Sequence, residues 1–251
     1  TAAEAVVVTV HDGPSSQHLE AFELDGRPRW QQPAPATYSL AALGDEIWLA
    51  TTIAEVATLH AVAWRIDARD GQAQQVPLDL GGSRFLGPYV ATEHGLFVLA
   101  ISAASYGPAK HLVSLTLDGR RRWDREVVPA WDDAAAASWQ LDASRAGFDG
   151  RDPWVLGFET RTDSFDAEDP QWDYRVALQR WSADGTHQDT LRPSPEQLGD
   201  PADVPHSACL PSDVARGSRV GSGVARPDGP LIVAGRRGCR DSFVLGMTVE
   251  R

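Results

Sequence analysis

The chain has 251 residues, 42% of them hydrophobic, and a formal net charge of −12. That length accommodates a sizeable core in one or two domains. The acidity excludes nonspecific binding to a phosphate backbone and docking on an anionic bilayer through a basic patch. No stretch approaches 18 consecutive apolar residues, so no membrane span is expected.

The first alternating strand is expected over residues 5–10 and a second over 19–24, followed by the turn Leu24-Asp25-Gly26-Arg27-Pro28-Arg29-Trp30. A second unit places strands at 38–43, 47–52, 60–66 and 72–78, with Asp70-Gly71 before the last. A third places them at 88–92, 96–101, 110–117 and 120–128, and its turn, Leu117-Asp118-Gly119-Arg120 running on to Trp123, repeats the first. Its run Leu96-Phe97-Val98-Leu99-Ala100-Ile101 is apolar throughout, as in a strand covered on both faces. A fourth places strands at 139–144, 154–159, 175–181 and 186–191, around Asp184-Gly185. A fifth offers only 219–225, 231–234 and 243–249. Helical periodicity is poor; short helix-friendly stretches occur at 132–138 and 194–198.

An Asp-Gly pair between alternating strands marks an antiparallel hairpin. The four pairs stand 45, 48 and 66 residues apart. The first two intervals fit a four-stranded unit and the third the same unit with an insertion. The expected fold class is therefore all-β, a single β-propeller domain over 1–251 with four-stranded antiparallel blades. It would have about five blades, three full and two partial. A piece of a larger propeller is the competing reading, because the two partial units do not combine into simple four-stranded blades.

The tracts 21–30 and 113–123 resemble the PQQ-type propeller repeat. The resemblance implies that Trp30 and Trp123, on outer strands, dock against the neighbouring blade. The tract 224–235 with 241–245 is similar to a bacterial surface-type propeller repeat. In the 72–76 strand the docking Trp is missing. PQQ-dependent dehydrogenases bind their quinone with an adjacent cysteine pair. This chain has none, so the resemblance implies architecture without that cofactor.

The two cysteines, Cys209 and Cys239, form no Cys-x-x-Cys pair. They read as one disulfide in an oxidising compartment, or as two buried free thiols. The start at Thr1 rather than Met fits removal of a leader or anchor. The expected location is secreted, periplasmic or cell surface.

The densest acidic cluster, Asp163, Asp166, Glu168, Asp169 and Asp173, supplies hard oxygens of the kind calcium takes. It lacks the order and the glycine of a calcium loop, and a solvated hairpin tip is the simpler reading. Catalytic carboxylates near inner-strand ends would be Asp45, Glu93 and Asp142, each also ordinary at a turn. The seven histidines are scattered, and Gly221-Ser222-Gly223 falls inside an expected strand rather than a nucleophile elbow. Loops 102–109 and 192–217 are long enough to carry recognition.

The expected function is a noncatalytic extracytoplasmic binding or assembly module, taking a protein partner or its own copies. No cofactor is expected beyond calcium at the acidic loop. The alternative is a five-bladed carbohydrate-active enzyme or a lectin-like glycan-binding module.

Overall fold

The computed structural model describes residues 5–11, 17–34, 39–55, 58–102, 109–128, 140–162, 172–192, 215–224, 231–237 and 241–247. Among them every regular element is a strand, so the chain is all-β. It divides into two compact units, Thr1–Asp124 and Arg125–Arg251. Residues 132–138 and 194–198, and both cysteines, lie outside the described residues.

The first unit holds three sheets. In the first, β1 (Ala5–His11), β2 (Gln17–Glu23) and β3 (Pro28–Pro33) are antiparallel neighbours in that order. The second follows as β4 (Ser39–Leu43), β5 (Glu46–Glu55), β6 (Thr58–Asp67) and β7 (Ala73–Pro77). The third is β8 (Arg84–Thr92), β9 (Gly95–Ile101), β10 (Lys110–Leu115) and β11 (Arg121–Glu126), with the unit boundary inside β11.

Strand periodicity explains how these sheets stack. Successive side chains point to opposite faces, so β5 serves two cores at once. Ile47 and Leu49 join Leu19, Ile66 and Ala68 on the first-sheet side. Trp48 and Ala50 join Tyr89, Ala91, Leu96, Val98 and Val113 on the third-sheet side. The second sheet is thus filled from both sides. Each fully buried Leu- or Ile-sized side chain contributes about 1.5–3 kcal/mol. In β9, residues Leu96 to Ala100 are all buried, matching the continuous apolar run.

The second and third sheets approach most closely through their first strands, β4 and β8. Small residues allow this, Ala41 on one strand and Ala91 on the other.

In the second unit, β12 (Gln140–Phe148), β13 (Pro153–Thr162), β14 (Trp172–Trp181) and β15 (His187–Leu191) form an antiparallel set. Val155, Leu156, Val176, Ala177 and Leu178 are buried at its centre. Then β16 (Ala215–Val224), β17 (Leu231–Arg237) and β18 (Asp241–Met247) pair antiparallel in order. The expected separation of fourth and fifth units does not hold. Trp172 to Tyr174 of β14 pairs in parallel with Ala215 to Gly217 of β16, making one seven-stranded sheet. The reason is backbone accounting. β14 starts three residues before the expected 175, and β15 covers it only from Leu178 to Trp181. Its first residues therefore have polar groups available to β16.

Candidate functional site

Three of the four Asp-Gly turns are one structure repeated, and the fourth is one residue longer, with the Gly71 amide donating to the Asp67 carbonyl at 2.9 Å. The Gly26 amide donates to the Glu23 carbonyl at 2.9 Å, and the Glu23 amide to that of Arg27 at 2.8 Å. The same pair of bonds recurs with Gly119, Thr116 and Arg120, and again with Gly185, Ser182 and Thr186. The four glycines have φ of 84°, 77°, 84° and 84°, the left-handed region where a Cβ is strained. Each Asp explains its own position. Asp25 accepts the Arg27 amide at 3.1 Å, Asp70 that of Gln72 at 2.9 Å, and Asp184 that of Thr186 at 3.1 Å. Hydroxyl donors hold two of these carboxyls below the usual range, Thr116 at Asp118 and Ser182 at Asp184.

The turns are also where sheets are joined. Trp30, on the outer strand of the first sheet, donates Nε1–H to the Ala68 carbonyl at 3.0 Å. Its indole lies over the next turn so closely that a Cβ on Gly71 would sit 3.0 Å from Cδ2. Beside it Arg29 forms a two-point bond to Glu23 at 2.9 and 2.6 Å, which draws the Glu23 carboxyl below its ordinary range. The joint between second and third sheets has the same plan without an indole. The Asp79 amide donates to the Gly119 carbonyl at 2.9 Å. A Cβ on Gly119 would fall 1.9 Å from the Pro77 carbonyl oxygen and 3.2 Å from Val76. In the second unit, Arg125 Nε donates to the Gly185 carbonyl at 2.9 Å.

The turns differ in burial. Gly71, Gly119 and Gly185 are buried, whereas Gly26 is exposed and a Cβ there would meet nothing within 4 Å. Leu117, one position before Asp118, packs on the core between second and third sheets. Its counterpart Leu24 is 66% exposed. The same side of the first sheet carries Val6 and Val8, 48% and 37% exposed, opposite Phe22 and Glu20 in register. A His18–Glu20 contact at 2.8 Å lies on this face. Val7, Leu19 and Trp30 point the other way, into the core with the second sheet. The first sheet therefore has one covered face and one open one. Sequence reading missed this; the signal was available only by comparing Leu24 with Leu117 once burial was known.

The remaining candidates are dispersed. Trp123 is buried against Phe97 of its own sheet, ring centroids 6.0 Å apart. Asp45 and Glu93 sit at turns, Asp45 bonded to Arg69 and Glu93 exposed beside His94 at 3.6 Å. Asp142 is on β12 opposite Phe158, and Asp173 on β14 opposite Arg161. Asp163, Asp166, Glu168 and Asp169 lie outside the described residues, as do Cys209 and Cys239. Gly221 sits at a register shift inside β16, between Val220 and Ser222. The base of the 102–109 loop is closed by the Ser102 amide on the Ala109 carbonyl at 2.9 Å.

Two side-chain pairs were not anticipated. His111 Nδ1 meets Asp124 Oδ1 at 2.7 Å, with Arg121 3.8 Å from the same carboxylate. Glu159 is fully buried on β13 and takes a two-point bond from Arg192 at 2.8 and 2.9 Å. Partners 13 and 33 residues apart leave no local pattern in a sequence. An open groove of about 280 Å³ lies between β7 and the third-sheet turn, lined by Arg65, Gln74, Gln75, Pro77, Leu117 and Asp118.

No family model and no curated protein matches this sequence. Among solved structures it is similar to a mannose phosphorylase from Leishmania mexicana in complex with a phosphate ion. That match has 11% identity and a TM-score of 0.44, and covers 98% of this chain and 85% of that one. A GDP-Man-dependent mannosyltransferase from the same organism gives 10% identity, 98% and 80% coverage, and a TM-score of 0.44. A 6-phosphogluconolactonase-type protein from Bacteroides uniformis gives 12%, 97% and 82%, and 0.37. Likenesses at this level carry no argument about activity.

Proposed function

We propose that the chain is a propeller-type stack of β-blades that works as a noncatalytic binding or assembly module outside the cytoplasm. The observation that carries this reading is the placement of exposed apolar side chains. Among the described residues, the exposed large apolar side chains are Val6, Val8 and Leu24 on the first sheet and Ile232 on β17. The counterpart of Leu24 in the third sheet, Leu117, is partly buried against the core. Apolar surface gathered on one face of the first sheet is what a module that meets another surface exhibits. The packing between sheets supports the architecture. Ala41 and Ala91 bring the first strands of the second and third sheets together, and the Trp30 indole packs between the first and second sheets at the outer strand. The resemblance to PQQ-type repeats is retained as part of this proposal.

The test against catalysis is a panel of chromogenic glycosides at high protein concentration. The reading expects no turnover above a Glu93→Gln/Asp142→Asn variant; turnover abolished by one carboxylate substitution overturns it. The oxidising location rests on a Cys209–Cys239 bond. Thiol titration of denatured, unreduced protein should find no free thiol, and two reactive thiols would remove that support. A second reading, a lectin-like module, is favoured by the groove at Gln74 and Gln75, whose amides suit sugar hydroxyls. Glycan-array binding lost in a Gln74→Ala/Gln75→Ala variant would establish it.

A further inference from the structure

Resting on the binding-module reading and naming what it binds, we propose that the groove between β7 and the third-sheet turn receives a tryptophan side chain from an extended segment of a partner protein. The two joints of the first unit differ by one side chain. At the first, Trp30 stands opposite Ala21 of β2 and its indole lies over Gly71. At the second, Val76 stands opposite Ala63 of β6, its Cγ1 3.2 Å from where a Cβ on Gly119 would lie. Valine reaches the glycine but is smaller than an indole, and the open groove of about 280 Å³ lies beside it. The acceptor that Trp30 uses has its counterpart there too. The Trp30 Nε1–H goes to the carbonyl of Ala68, one residue after Asp67, whose amide closes the hairpin on Gln72. In the third sheet the Thr116 amide closes the hairpin on Arg120, and the next residue, Leu117, lines the groove. Among the described residues nothing donates to the Leu117 carbonyl.

The rest of the lining suits the same ligand. Val76, Pro77 and Leu117 offer aliphatic contact and Arg65 a guanidinium. An indole meets them with an apolar body, one N–H and a ring face that attracts cations. The volume is near the lower limit of small-ligand pockets, which suits one ring system. The ring is neutral, so the net charge of −12 does not oppose it. The ring comes on a protein because the groove borders a sheet edge. β7 ends its sheet, and the bonds from Asp67 to Gln72 and from Leu78 to Ala61 set its phase. The amides of Ala73 and Gln75 therefore point away from β6. Charged side chains guard many sheet edges; β3, β11 and β15 carry them, whereas β7 is Ala-Gln-Gln-Val-Pro. An extended segment can pair along this edge and set its tryptophan in the groove.

The experiment is a titration of the full, isotope-labelled chain followed by amide chemical shifts. The probes are N-acetyl-tryptophanamide and a capped Ser-Thr-Trp-Thr-Ser peptide. Both should give saturable shifts at Gln75, Leu117 and Asp118. The peptide should bind roughly tenfold more tightly, because only it can pair with the edge; equal affinities would overturn the protein partner. Methylating the indole nitrogen removes one hydrogen bond and should weaken binding roughly fivefold. Gln74→Trp replaces an exposed side chain that lines the groove. It should keep the wild-type melting curve and abolish the shifts by filling the groove from β7 itself. Should that variant fail to fold, Arg65→Gln should still weaken the binding of both probes. No saturable shift with either probe overturns the proposal, as does a capped leucine that binds as well as the capped tryptophan. A simple sugar that shifts these amides where tryptophan does not would hand the groove to the lectin reading. Glycosidase turnover would overturn the binding-module reading separately, whatever the probes show.

Discussion

Gly26 and Gly119 allow the joint between sheets to be weighed against the turn itself. Both occupy the same position of the same turn, both at φ +84°. An alanine at either place is strained by the left-handed backbone, about 1–2 kcal/mol. At Gly26 nothing else opposes it, since a Cβ would meet no atom within 4 Å. At Gly119 the Cβ would lie 1.9 Å from the Pro77 carbonyl oxygen. Relief requires the β7 end to move off the turn, which adds about 1–3 kcal/mol of overpacking. It also stretches the 2.9 Å bond from the Asp79 amide to the Gly119 carbonyl, worth about 1 kcal/mol. Gly26→Ala should therefore cost about 1–2 kcal/mol and Gly119→Ala about 3–6 kcal/mol. Equilibrium urea unfolding followed by tryptophan fluorescence measures both. Equal costs for the two substitutions would mean that the third-sheet turn is not docked on the second sheet, and the stacking argument would fail.

Other outcomes follow from the same contacts. Trp30→Phe keeps an aromatic ring but loses the bond to the Ala68 carbonyl, so it should cost about 1–2 kcal/mol in a urea titration, and no cost would contradict the joint. Arg192→Met leaves the buried Glu159 carboxylate without its two-point partner and should cost about 3–5 kcal/mol. The double variant Glu159→Leu/Arg192→Met should be the more stable of the two in the same titration. Burial pushes the Tyr89 phenol above its ordinary range. Below the unfolded value of about 10 the phenol is neutral in both states. Above it the unfolded chain ionises first, so stability should fall as pH rises past that point. Tyr89→Phe should flatten this alkaline limb in pH-dependent melting, and an unchanged limb would contradict the assignment.

Much of the fold was legible because the chain repeats one local instruction. Alternation such as Leu112-Val113-Ser114 and the Asp-Gly pairs located the hairpins, and the strands follow the expected units through the first three sheets, whereas the fourth and fifth merge into one sheet. Boundaries moved where tertiary context extended a strand. β8 begins at Arg84 rather than 88, because the chain pairs on both sides of an irregularity between Phe85 and Tyr89. The parallel bridge from Trp172 to Ala215 was illegible, since three residues pairing across a long insertion carry no periodic signal. The strand without an indole illustrates the same limit. Reading 72–76 for a Trp found none, yet Val76 and Pro77 occupy the corresponding place on Gly119. Shape at a joint can be met by a carbonyl and an aliphatic side chain, which no motif specifies. The open first-sheet face depended on the difference between Leu24 and Leu117, which share the Leu-Asp-Gly-Arg motif but differ in burial, Leu24 being 66% exposed and Leu117 partly buried.

The central claim is that successive sheets are locked together at their turns. The most direct measurement is hydrogen exchange at the Asp79 amide. This group lies beyond the end of β7, outside every strand, and its hydrogen bond goes across the joint to Gly119. The account predicts an amide protected well beyond its unstructured rate in the wild type and released in Gly119→Ala, with the β9 amides still slow. An Asp79 amide exchanging at the unstructured rate in the intact wild-type protein would contradict it.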